Sequence, residues 1–150
     1  MTTVCVVGKP SVALKADLLA YETARSALAP YDFSEPFANT LAVDTVSLGA
    51  AVSLLNDLDW YLLRLASDAF VKDRSISDTE WLSRDLATAV RNGDVSVEAS
   101  GDYLKIFGVD EGELVEPMFA ARTVEGVPEY DLRDVDETVV VRVTESEFAT

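Results

Sequence analysis

Gly8-Lys9-Pro10-Ser11 has the residue types of an anion cradle. A glycine lets backbone approach a ligand, a lysine adds positive charge, and a serine hydroxyl can donate. A turn from strand into helix aims unpaired N–H groups outward at the positive end of the helix dipole. The ligand for Gly8, Lys9 and Ser11 would be a small anion or a nucleotide. Neither phosphate-loop spacing, GxxxxGK[ST] or GxGxxG, is met. The competing reading is an ordinary turn in which Ser11 caps the following helix. Trp60 and Arg64 form the second candidate. On a strand, Trp60, Leu62 and Arg64 share one face, where the guanidinium stacks on the indole or binds an anionic ligand. Pairing of Arg64 with a neighbouring carboxylate explains the same residues.

Other chemistry is narrowed by composition. The 150 residues include no histidine and one cysteine, so histidine bases and triads are excluded. A four-ligand N/S zinc site cannot form within one chain, nor can an internal disulfide. Cys5 sits inside an apolar run, the setting of a structural thiol rather than a nucleophile. Asp57 and Asp59 have the hardness for a divalent cation, but close acid pairs arise by chance in a chain with 27 acids. From Asp134 to Glu145 the acids fall as in a calcium loop, yet Val139 stands where the sharp turn needs glycine. No spacing singles out an acid–base pair. No catalytic residue, metal site or cofactor is assigned, and a non-enzymatic role is favoured.

The charge is uneven. Against 27 acids stand 12 bases, a formal net charge of −15. Residues 1–75 carry nine acids and six bases, and residues 76–150 carry eighteen and six, so −12 lies in the second half. Such a charge disfavours nucleic acid, whose binding rests on Lys and Arg neutralising phosphates. With only four lysines, two isoleucines and many valines and alanines, the composition fits adaptation to high salt. Carboxylates there hold water and hydrated cations, and molar salt screens their mutual repulsion. An acidic face for a protein partner is the other reading. No apolar stretch reaches the ~20 residues of a membrane span, and the N-terminus lacks a signal-peptide pattern. The expectation is a cytoplasmic chain with no membrane contact.

These sites need elements to hold them. The β-branched run at 3–7, bounded by Gly8 and Pro10, predicts a strand buried on both faces. Ser11 predicts a helix N-cap, with the helix running to about Ala29 and Tyr21 on its apolar stripe. Residues 31–40 read as a loop anchored by Phe33 and Phe37. A second helix is expected from Asp44 to Asn56, and residues 60–65 and 70–72 read as strands, with a helix extension at 60–65 as the alternative. Ser77, Glu80, Ile76 and Trp81 have the spacing of a capping box with its hydrophobic staple, predicting a third helix that stops at Asn92-Gly93. Strands at 103–107 and 114–121 form a C-terminal hairpin, with Pro117 at an edge or bulge. Residues 138–143 add a strand, after which the chain should fray. The sum is one α/β (α+β) domain over residues 1–150, a mixed sheet of about five strands with about three helices.

Two stretches carry a resemblance. Asp44-Thr-Val-Ser-Leu-Gly-Ala-Ala-Val-Ser-Leu-Leu-Asn-Asp-Leu58 and Ser75-Ile-Ser-Asp-Thr-Glu-Trp-Leu-Ser-Arg84, together with Glu116-Pro117-Met118 and Tyr130-Asp131-Leu132-Arg133, resemble a small uncharacterised haloarchaeal family. The resemblance implies a salt-rich habitat and brings no activity or site residues. The expected function is a module that binds a protein partner or self-associates, through an edge near Pro117 or aromatics such as Phe37. The alternative is the small-anion or nucleotide site at Gly8–Ser11.

Overall fold

The computed structural model describes residues 1–122 and 137–149. One mixed sheet organises them, with seven strands in the order β2-β1-β3-β4-β7-β5-β6. Chain order is β1 (Thr2–Gly8), α1 (Leu14–Leu19), α2 (Glu22–Leu28), β2 (Thr40–Thr45), α3 (Leu48–Asp57), α4 (Asp59–Leu65), β3 (Ala66–Asp73), β4 (Trp81–Ser83), α5 (Arg84–Arg91), β5 (Tyr103–Asp110), β6 (Glu113–Ala121), β7 (Glu137–Val143) and α6 (Glu145–Ala149). The mixed α/β sheet agrees with the sequence reading. The expected five strands and three helices fall short of the seven strands and six α-helices among the described residues. No helix there is long and apolar enough to cross a membrane. Residues 130–133 and the acids Asp134 and Asp136 lie outside the described residues.

β1 is buried on both faces because it lies between β2 and β3, antiparallel to each. Its alternate side chains enter two cores. Val4 and Val6 face the helices, packing with Leu14, Leu18, Leu28, Leu55 and Leu82. Cys5 faces the other side, with Phe70, Trp81, Phe107 and Val141. Among the described residues, α6 is the one α-helix that packs on that second core, through Phe148, and the sheet curls over it. Phe70 on β3 and Phe107 on β5 are three strand steps apart, about 14 Å in a flat sheet, yet their ring centroids lie 6.1 Å apart. Lys105 on β5 likewise reaches Asp68 on β3 at 2.6 Å. At the rim, the Ala38 N–H donates to Gly112 O at 2.8 Å, bringing the β5–β6 turn to the loop before β2.

Several expected elements are replaced, some through partners distant in sequence. Ser11 is not a helix cap. Val12 N–H turns back to Lys9 O, α1 starts three residues after Ser11, and Leu14 N–H donates to Asn39 Oδ1 at 2.9 Å. The single helix to Ala29 is broken at Tyr21, whose extended backbone (ψ 127°) separates α1 from α2. The break lets Ala24 and Leu28 reach the core while Tyr21 turns outward. Asp44 lies in β2, where it accepts from the Thr3 hydroxyl, and the second helix begins only at Ser47, whose Oγ accepts from Ala50 N–H. Residues 60–65 are helical, and 70–72 belong to β3.

The capping box at Ser77 half-forms. Ser77 Oγ accepts from Glu80 N–H at 3.0 Å, but the chain then enters β4, pairing Leu82 with Val71 and Arg142. The third helix starts at Ser83, which caps Leu86 N–H. Its end at Asn92-Gly93 is as read. Gly93 (φ 81°) closes a Schellman turn, with Gly93 N–H on Val90 O and Asp94 N–H on Ala89 O. The hairpin is tighter than expected, with only Glu111 and Gly112 between its strands and both at positive φ. β6 is an edge of the sheet, and the register slips opposite Phe107, so Pro117 sits at both an edge and a bulge. The final residues form α6 through a real capping box: Thr144 Oγ1 accepts from Glu147 N–H, and Glu147 Oε1 accepts from Thr144 N–H.

Candidate interaction surface

α4 follows α3 with Leu58 as the joint, serving as the last cap of one and the first of the other. Leu58 and Leu62, one turn apart, are both buried. That fixes the helix's rotation and sends Trp60, Leu63 and Arg64 outward. Trp60 is 50% exposed and Leu63 68%, although water disfavours both. Tyr21, 41% exposed at the α1–α2 break, joins them. Its ring lies 5.7 Å from Trp60 and 5.0 Å from Tyr61, and Trp60 and Tyr61 are 5.1 Å apart. Edge-on and tilted geometries of this kind hold aromatic rings in place. Arg64 is tied down too: its Cζ lies 3.5 Å from the Trp60 ring centroid, and Nη1 donates to Trp60 O at 2.8 Å.

The structure makes the two sequence candidates neighbours. Lys9 N–H donates to Leu65 O at 2.9 Å, and Lys9 Nζ donates to Leu63 O at 3.2 Å. Lys9 therefore covers the C-terminal carbonyls of α4, where a cation is favoured. Gly8 N–H donates to Asn39 O, and Asn39 Nδ2 donates to Lys9 O, so the turn is filled by its own chain. Ser11 is exposed at the turn. A cleft of about 330 Å³ opens beside Gly8 and Pro10, but Glu113 and Glu116 of β6 also line it. An anion there would meet two carboxylates.

Gly8 is needed for the asparagine rather than for a ligand. A Cβ at Gly8 would lie 2.6 Å from Asn39 Nδ2 and 2.8 Å from Leu14 Cβ. Gly8→Ala is expected to destabilise by about 1–3 kcal/mol, the range of core overpacking. Chemical denaturation checks it, and a change under ~0.5 kcal/mol would count against this packing role.

Other reactive side chains are occupied. Burial and the nearby Asp68 charge push the Cys5 thiol up to about 12, so it stays protonated at neutral pH. Asp59 pairs with Arg84 at 2.8 Å. Among the described residues, no three His, Cys, Asp or Glu side chains gather as metal ligands would. Phe37, expected on the surface, packs partly buried against the second core.

Tyr21 and Leu63 were not among the sequence candidates. The signal for Leu63 is the spacing of Leu58, Leu62 and Leu65, which as a helix leaves 60, 63 and 64 outside, whereas Tyr21 is turned out by the break between α1 and α2. The strand reading of 60–65 concealed it. A short apolar run does not distinguish helix from strand by period alone.

No curated protein and no solved structure matches the chain. A family model matches residues 2–109, from β1 to all but the end of β5, and this stretch includes Tyr21, Trp60, Leu63 and Arg64. The chain belongs to that family, the family of unknown function DUF5804.

Proposed function

We propose that the chain acts by binding rather than catalysis, as one acidic cytoplasmic domain whose contact surface is the α4 face. The observation that carries this reading is the exposure of Tyr21 and Trp60 in ring contact, with exposed Leu63 one turn along α4 from Trp60. Adjacent large apolar side chains on a soluble surface mark contact sites more often than isolated ones do. Aromatics with an arginine have the composition of interface hot spots. The face replaces the surface expected around Phe37. The small-anion reading at Gly8, Lys9 and Ser11 has less support, because Gly8 and Lys9 have their amides engaged and the cleft beside them is acidic.

Leu63→Asp tests it. The substitution puts a charge on the exposed face of α4 and leaves the core untouched. In affinity capture at high salt from the native host, proteins bound to the wild-type chain should be lost with the variant, while far-UV circular dichroism stays the same. Equal capture by both would remove the α4 face from consideration.

The charge supports a salt-rich, haloarchaeal habitat. Eighteen acids in residues 76–150 repel one another when salt is withdrawn. The denaturation midpoint should fall between about 2 M and about 0.1 M KCl, with a neutral osmolyte controlling for salt's effect on apolar surface. Equal midpoints at the two salt concentrations would argue against salt adaptation.

A further inference from the structure

We propose that the cleft beside Gly8, at the mouth of the curled sheet, binds a small organic cation: a primary ammonium on a compact apolar body. The proposal is independent of the α4 face.

Two β-bulges shape the cleft. Between the pairs Val7–Asp68 and Gly8–Ala66, β3 carries one extra residue, Ser67. Between the pairs Ile106–Met118 and Gly108–Val115, β6 sets two residues, Glu116 and Pro117, against Phe107 alone. Ser67, Phe107, Glu116 and Pro117 all line the cleft. A bulge interrupts the ladder and re-aims side chains, and bulges concentrate at barrel rims and next to active sites. The bond from Ala38 N–H to Gly112 O ties the two sides together. The cleft is therefore formed before a ligand arrives, which lowers the cost of binding.

Its lining has two zones. Val7, Phe107 and Leu114 belong to the second core and, with Pro117, make an apolar floor. Glu113 and Glu116 stand exposed beside it. Among the described residues, no lysine or arginine lines the cleft. Lys9 is drawn away to Leu63 O, and Lys105 is paired with Asp68. Asn39 is occupied by Leu14 N–H and Lys9 O. The Ser67 hydroxyl reaches Val7 O and Gly8 O only at 3.5 Å, long for a hydrogen bond. An ammonium has three N–H donors, and the two carboxylates and this hydroxyl supply three side-chain acceptors. The apolar floor takes the body of the ligand. The volume of about 330 Å³ is at the small end for ligand pockets and sets the size of that body. Acids by themselves distinguish nothing on a chain with 27 of them. Glu113 and Glu116 differ in standing over an apolar hollow that two bulges hold open.

The experiment is a titration of the purified full chain with phenethylammonium chloride at constant KCl, followed by hydrogen–nitrogen correlation spectra. The amide signals of Gly8, Ser67, Phe107 and Leu114 should shift and saturate. The dissociation constant should be about 1 mM or tighter, as for a good ligand of this size. Phenethyl alcohol, which keeps the body and lacks the charge, should bind about tenfold more weakly, the effect of two exposed ion pairs. Ammonium chloride, which keeps the charge and lacks the body, and phenylacetate, which reverses the charge, should leave these signals in place. In the double variant Glu113→Gln, Glu116→Gln, phenethylammonium should bind no better than the alcohol. Both positions are exposed, so the remaining signals should stay where they are and report an intact fold. Four results would each overturn the proposal: no saturable shift at these amides, equal binding of the alcohol, the same shifts from ammonium chloride, or wild-type affinity in the double variant.

Discussion

Phe70→Ala should cost about 4 kcal/mol of stability, the range for deleting a buried phenylalanine. For a chain of this length that corresponds to about 8–16 °C in Tm. Phe70 has no exposed surface and sits at the centre of the concave face. Its ring meets Trp81 edge-on at 5.1 Å and Phe107 at 6.1 Å. These partners come from β4 and β5, on either side of the join between the sheet's two parts. Truncation therefore removes the contact that draws the curled sheet closed, besides the area buried. The void cannot collapse easily, because the surrounding backbone belongs to hydrogen-bonded strands. Urea denaturation reads the loss, and near-ultraviolet circular dichroism reads the altered setting of Trp81. A loss below ~1.5 kcal/mol would mean that the concave face is not a packed core.

That core shows where sequence reading succeeds and where it stops. Signals whose partners are near in sequence were legible. Gly93 ends α5, the Glu111-Gly112 turn joins β5 to β6, and the 48, 51, 52, 55 spacing marks α3. Signals whose meaning depends on distant residues were not. Ser77 to Trp81 carries the full pattern of a helix start, but Leu82 gains more by pairing with Val71 and Arg142 between two strands. The start of α1 depends on Asn39, 25 residues away, and no local pattern contains it. The candidate surface was half legible for the same reason. Trp60 and Arg64 stood out by residue type, while Tyr21 joined them only because a helix break turned it away from the core. Curvature was invisible altogether. It follows from how β5, β6 and β7 close over β1 and β3, which no window of sequence holds.

The second large effect is expected at Glu80, where the two parts of the sheet meet. In the strand order of the described residues, β2-β1-β3-β4 and β7-β5-β6 meet at the parallel pairing of β4 with β7, whose register pairs are Trp81 with Val141 and Leu82 with Arg142. Glu80 reinforces this short seam. Its carboxylate accepts from Arg122 Nη2 at 2.7 and 2.8 Å and from Arg142 Nε at 2.7 Å. The arginines anchor further, Arg122 Nε on Gly101 O and Arg142 Nη1 on Ser100 Oγ. Burial by itself would raise the Glu80 pKa. The hydrogen bonds and positive charges of Arg122 and Arg142 outweigh it and hold the group below its ordinary 4.5. Glu80→Gln keeps the shape but leaves two guanidiniums without their anion. A fully buried pair would lose about 3–5 kcal/mol on such a change. Here Arg122 is 30% exposed, so water takes up part of the loss and about 2–3 kcal/mol is expected. The pH dependence follows from the direction of the shift. A depressed carboxyl pKa contributes stability that is complete above the unfolded value and is lost as pH falls through the folded one. The gap between wild type and Glu80→Gln, measured at constant KCl, should therefore be flat near neutral pH and shrink only below 4.5. Taking the difference cancels the other carboxylates, which titrate in both proteins. A gap that closes above that pH, or persists unchanged well below it, would show that the Glu80 charge does not hold the seam.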